Sequence, residues 1–133
     1  MTIRKPYVFA LAAVLVLTPI TVHSSPITST AITGAWELRT ACMNEHGKPG
    51  ACIEMKHGSM EFTFSPDGNW NMVANDQSGT KKAGSYEIRK ERLVLKNADG
   101  SLYQDWRPDF SSDGQSFVVE EKQLIETFAR VTN

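Results

Sequence analysis

The sequence predicts an all-β protein: an antiparallel up-and-down meander of about eight short strands, closed or nearly closed into a barrel. Three observations lead there. From Gly34 onward, short segments alternate apolar and polar side chains. They are separated at near-regular spacing by Pro66-Asp67-Gly68, Ser78-Gly79, Ala98-Asp99-Gly100 and Ser112-Asp113-Gly114, in which glycine supplies the positive φ that hairpin turns demand. No segment after the first apolar run sustains a helical period.

The strands follow in order. GAWELRT sets Trp36 and Leu38 against Glu37 and Arg39, and MEFTFS sets Met60, Phe62 and Phe64 against Glu61, Thr63 and Ser65. NWNMVA places Trp70 and Met72 on one face. GSYEIR opposes Tyr86 and Ile88 to Glu87 and Arg89; RLVLKN opposes Leu93 and Leu95 to Arg92 and Lys96, with barely a turn at Lys90-Glu91 between them. SLYQDWR puts Gln104 and Trp106 on one face and directs Tyr103 outward. QSFVVEE contributes Phe117 and Val119, and QLIETFARV closes the meander. One face of every strand is therefore apolar, the condition for a buried interior.

The first residues have a different character. Arg4 and Lys5 precede an apolar run from Val8 to Leu17, and polar residues follow from His23. This is the layout of a secretory signal, expected over 1–24 with cleavage before Ser25. The run is too short to span a bilayer, so no membrane span is expected after cleavage. Residues 25–33, SPITSTAIT, read as a flexible leader, and 34–133 as the barrel domain. Cleavage removes two basic residues and no acid from the 14 basic and 15 acidic, leaving a net charge near −3 that offers no field for nucleic acid. A periplasmic or secreted location favours pairing of Cys42 with Cys52. That short, Gly/Pro-containing loop is worth about 2.5–3 kcal/mol in chain entropy.

Several of these residues resemble a family. Gly34-Ala35-Trp36 at the first strand, MEFTFSPDGNW followed by AGSYEIRKERLVL, and ETFARV at the end are similar to the small bacterial lipocalin-like (calycin-type) secreted domains. The resemblance covers most of the chain after residue 31. It implies that Arg130 packs over Trp36 as a cation–π contact, and that the barrel holds a small hydrophobic molecule. The cysteine-bounded insertion after the first strand departs from the family pattern.

No catalytic set emerges, and no enzyme activity or cofactor is expected. Ser59, His57 and Asp67 are neighbours in sequence only, and Glu120-Glu121 read as an exposed strand end. The candidate ligand-binding residues are Trp70, Met72, Gln104 and Trp106, where aromatics with polar edges replace plain aliphatics; packed core is the other reading of the same side chains. A second function class is a protein-interaction module, of inhibitor or immunity type, that uses the loop 42–52 as its contact surface. A third is soft-metal handling: His46, Met55 and His57 are copper or zinc ligand types, though without a recognised spacing.

Overall fold

The computed structural model describes residues 26–77 and 79–132. A short helix, α1 (Ser29–Ile32), leads into ten strands: β1 (Gly34–Glu45), β2 (Lys48–Glu54), β3 (Met60–Phe64), β4 (Asn69–Ala74), β5 (Lys81–Arg89), β6 (Arg92–Asn97), β7 (Leu102–Trp106), β8 (Asp109–Phe110), β9 (Ser116–Glu120) and β10 (Leu124–Arg130). They form one antiparallel sheet in the order β7-β6-β5-β4-β3-β1-β10-β9-β8, with β2 paired to β1 alone. The expected signal segment, 1–24, lies outside the described residues. No helix among the described residues is long and apolar enough to cross a membrane.

The alternating segments each form a strand, and three features differ from expectation. The first is an extra strand: β2 arises because β1 outruns β3. Gly34 to Glu37 of β1 pair with β3, whereas Thr40 to Glu45 pair with β2. His46 and Gly47 turn the chain at φ of 56° and 85°, the doubly positive turn that suits a two-residue hairpin. Cys42 and Cys52 face each other across this pair and form the disulfide.

The second difference is closure. The sheet curls strongly, but β7 and β8 end the strand order without pairing, so the barrel is open along one seam. Pro108, between them, has no N–H to donate, and β8 is two residues long. Side chains span the gap instead. The Trp106 ring of β7 lies 6.3 Å from Phe117 of β9 and 5.3 Å from Phe128 of β10.

The third difference concerns the expected leader. Its described part, residues 26–33, is packed rather than free. Ile32 is fully buried, Ile27 packs on the core, and the Ile27 N–H donates to the Lys90 carbonyl at 2.8 Å. Two isoleucines among small polar residues suffice to tie the segment down. They cover one end of the barrel, so their apolar surface is lost to water there.

Arg130 holds that end closed. Its guanidinium lies 4.3 Å from the Trp36 ring and donates to the carbonyls of Ala31 (2.8 Å), Thr33 (2.8 Å) and Gly114 (3.1 Å). The Trp36 Nε1–H donates to Ile32 O at 2.8 Å. Gly34, at φ 123°, leaves room for the arrangement, because a Cβ there would stand 3.0 Å from Arg130 Nη1. Above this plate the interior is filled by Phe62, Phe64, Trp70, Trp106, Phe117 and Phe128, all buried. Their ring contacts run continuously, from Trp36–Phe117 at 4.8 Å to Phe62–Trp106 at 5.3 Å.

Arg130→Ala removes three hydrogen bonds and the ring contact together. It is expected to cost about 2–3 kcal/mol, lowering Tm by on the order of 10 °C. Arg130→Lys should recover less than half of that, since an ammonium cannot reproduce the planar fork. Thermal melts followed by circular dichroism test both, and a parent-like Tm for Arg130→Ala contradicts the clamp.

Candidate functional site at the open end of the barrel

The end opposite α1 has a different lining. Inward-facing positions can be read from the register. Phe128 is core, so Glu126, two residues earlier on β10, shares its face. Across the sheet from Glu126 stand Val119 of β9 and Ala41 of β1, and Ala41 in turn pairs with Ile53 of β2. Met72 of β4 is core and pairs with Lys82 of β5, which places Lys82 inward at the same end. Charged side chains thus occupy positions that deeper in the barrel are aromatic.

Tyr103 joins them because of a bulge. On β6, Leu95 pairs with Gln104 and Lys96 with Leu102, leaving Tyr103 as an extra residue on β7. Regular alternation would turn it outward, as the sequence predicts. Released from the ladder, its ring stacks on Trp70 at 4.9 Å and is half-buried. Lys82 Nζ lies 4.7 Å from the centre of the Tyr103 ring, a cation–π contact.

Two carboxyls complete the site. Glu121, expected as an exposed strand end, is half-buried and accepts the Trp106 Nε1–H at 3.0 Å. Burial first, then the neighbouring Glu121 carboxyl, push the Glu126 carboxyl up to about 7. The Tyr103 hydroxyl is pushed up as well, by burial and then by the charges of Glu126 and Glu121. Among the described residues, no Lys or Arg forms an ion pair with either glutamate. The nearby rim is apolar: Met43 and Ile53 are 59% and 68% exposed, and Leu124 is exposed beside them.

The residues singled out from sequence divide into two groups. Trp70, Met72 and Trp106 are buried and form the floor beneath the open end. Gln104 is half-buried one residue from Tyr103. The soft-metal candidates do not converge. His46 is exposed at the β1–β2 turn, and Met55 packs against the core. His57 Nδ1 sits 3.0 Å from Glu37 Oε1 and beside Arg39. Burial alone would raise the Glu37 carboxyl, but hydrogen bonds from Gly58 N–H, His57 and Arg39 bring it below its ordinary range. No group of three or more His, Cys, Asp or Glu suited to a metal ion occurs among the described residues. On the outside of the sheet, Glu61, Thr63, Asn71, Val73 and Asn75 line a shallow cleft of about 230 Å³.

Two solved structures share this architecture. A lipocalin-like protein from Bacteroides uniformis superposes with a TM-score of 0.59 at 14% identity, over 76% of this chain and 99% of that one. The fold is lipocalin-like. A second structure, an uncharacterized protein from Bacteroides eggerthii, gives a TM-score of 0.58 at 12% identity, over 75% of this chain and 99% of its own. At these identities the likeness is one of fold. No protein-family model and no curated protein matches the sequence.

The carboxyl pair gives the lipocalin-like barrel a pH dependence of definite sign. Folding raises the Glu126 pKa from 4.5 to about 7, so the folded state holds an extra proton between those values. The resulting stability is complete below about pH 4.5 and is lost as pH rises through 7. Glu126→Gln keeps the size of the side chain and removes the titration. It should match the parent at pH 4 and exceed it at pH 8 by about 1 kcal/mol, after allowance for solvent screening. Calorimetric melts across that range check this; parallel pH profiles for parent and variant contradict it.

Proposed function

We propose that this is an exported lipocalin-like binding protein that holds a small, largely apolar molecule at the open end of its barrel. One observation carries the reading. Along the inward face, a continuous aromatic core gives way at one end to Tyr103, Gln104, Lys82, Glu121 and Glu126 beneath an apolar rim. Apolar surface with a few converging polar groups is what a small-molecule site requires. Because ring contacts fill the interior, the ligand rests on a floor of Trp70, Met72 and Trp106 instead of entering a deep cavity. Export is supported by the basic–apolar–polar N-terminal segment and by the disulfide, which persists in an oxidising compartment.

A second reading has its own observation. β2 is exposed along most of its length, pairs on one side only, and presents Ile53. That makes the disulfide-tied hairpin a contact surface of fixed shape for a protein partner.

The two readings separate experimentally. N-phenyl-1-naphthylamine, an apolar fluorescent probe, should bind the parent saturably at one site per chain. Tyr103→Ala should weaken it about tenfold, the loss of one aromatic wall, with a lower Tm from the lost Trp70 stacking but the strand signature in circular dichroism retained. Replacing Lys48 by Ser, an exposed position of the hairpin outside rim and floor, should leave probe binding within about twofold. Absence of saturable binding, or equal affinity in Tyr103→Ala, contradicts the open-end site.

A further inference from the structure

Beyond the open end, we infer that the outer face of β3, β4 and β5 carries a separate binding site for a neutral, hydroxyl-rich ring, the size of one monosaccharide unit. The site is the shallow cleft of about 230 Å³ lined by Glu61, Thr63, Asn71, Val73 and Asn75. The strand register explains how these residues come together. Phe62, Phe64, Trp70, Met72 and Ala74 are buried on the inward face, so the residues that alternate with them point outward. Glu61 pairs with Val73 and Thr63 with Asn71, and on its other side Val73 pairs with Lys81. The isopropyl group of Val73 is thus an apolar centre surrounded by Glu61, Thr63, Asn71, Asn75 and Lys81.

The polar groups around Val73 are uncommitted, and one wall is fixed. Among the described residues, no hydrogen bond or ion pair engages the side chains of Glu61, Thr63, Asn71 or Lys81. Asn75 is held at both its backbone and its side chain. Its N–H donates to Ser59 O at 2.8 Å and its Nδ2 to Gly58 O at 2.7 Å, which leaves Oδ1 as an acceptor beside the cleft. Glu37, the neighbour of Glu61 on β1, takes no part. Its carboxylate is already engaged by His57 Nδ1, Arg39 Nη1 and the Gly58 N–H.

The chemistry of these groups selects the ligand. Glu61 only accepts hydrogen bonds, Lys81 only donates them, and Thr63 and Asn71 do both. A hydroxyl also does both, so a ring of hydroxyls answers all of them together, whereas a carbonyl or an ether offers Glu61 nothing. Neighbouring strands lie about 4.8 Å apart, so Glu61 on β3 and Lys81 on β5 flank Val73 across about 9–10 Å, room for a six-membered ring with a hydroxyl at either side. The C–H face of that ring covers Val73 and removes its methyl groups from water. With a carboxylate at one edge and an ammonium at the other, an ion of either sign is attracted by one and repelled by the other. A divalent cation would find a single carboxylate and an opposing ammonium, a poor donor set.

The test titrates ¹⁵N-labelled protein with the methyl glycosides of glucose, galactose and mannose. At least one should shift the side-chain carboxamide signals of Asn71 and Asn75 saturably, with a Kd of about 1 mM, as expected of about four hydrogen bonds at their ordinary net worth. Cyclohexanol, which keeps the ring but a single hydroxyl, should produce no saturable shift. Glu61→Gln should weaken the bound glycoside about tenfold, the loss of a charge-assisted acceptor. Asn71→Ala, at an exposed position that leaves the core intact, should weaken it as well. Tyr103→Ala, at the open end, should leave it within about twofold. The inference is overturned by the absence of saturable shifts with all three glycosides, or by unchanged affinity in Glu61→Gln. Tighter binding of the ammonium or carboxylate analogue of the same glycoside overturns the neutral class, and shifts confined to the Trp70 and Trp106 indole signals overturn the location.

Discussion

The Arg130 guanidinium, laid over Trp36 and bonded to the carbonyls of Ala31, Thr33 and Gly114, is the contact on which the rest of the molecule depends. It ties the last strand to the segment before the first and to the β8–β9 turn, reinforcing the β1–β10 ladder at that end of the barrel. A guanidinium is suited to this, since its fixed fork addresses several carbonyls at once while its face lies on an indole. With α1 and Ile32 held beneath it, one end of the barrel is sealed. Entry is left to the other end and to the seam between β7 and β8.

Closure at one end and filling of the middle together determine where a ligand can be held. A barrel of this size is either packed by its own side chains or hollow. Here Phe62, Trp70, Trp106, Phe117 and Phe128 touch ring to ring, so the middle is packed. The long β1 adds a second storey: beyond β3 it continues with β2 and β10, and the disulfide at Cys42–Cys52 secures this extension. Met43, Ile53 and Leu124 stand on it as a rim above the packed floor. The bulge at Tyr103 and the carboxyls of Glu121 and Glu126 supply the polarity between rim and floor.

Much of this was legible in the sequence, and the gaps have physical causes. Period-two alternation with glycine turns marks the strands that bury one face, so β1, β3 to β7, β9 and β10 could be read directly. β2, Lys48-Pro49-Gly50-Ala51-Cys52-Ile53-Glu54, buries no face, and nothing in its pattern distinguishes it from a loop. The packing of residues 26–33 rests on Ile27 and Ile32, too few residues to generate a period. The contact between Trp36 and Arg130 leaves no local trace in the sequence, and only the family resemblance implies it. Parity directs Tyr103 outward, and a bulge, which resets parity, leaves no mark in the alternation. The carboxyl pair had a signal: Glu126 lies two residues before Phe128 and four before Arg130, an acidic residue at an inward position. Such a residue in an otherwise apolar register is a better pointer to a site than the aromatic residues that sequence reasoning favoured.

The central claim is that the two ends of the barrel differ, one clamped and one receptive. The three tryptophans report on it separately through their indole N–H groups, because each has a different partner: Ile32 O for Trp36, Lys96 O for Trp70 and Glu121 Oε1 for Trp106. A ¹H–¹⁵N correlation spectrum titrated with N-phenyl-1-naphthylamine should move the Trp70 and Trp106 indole signals and leave that of Trp36 in place. Movement of Trp36 with the other two unmoved would place the ligand at the α1 end and contradict the account.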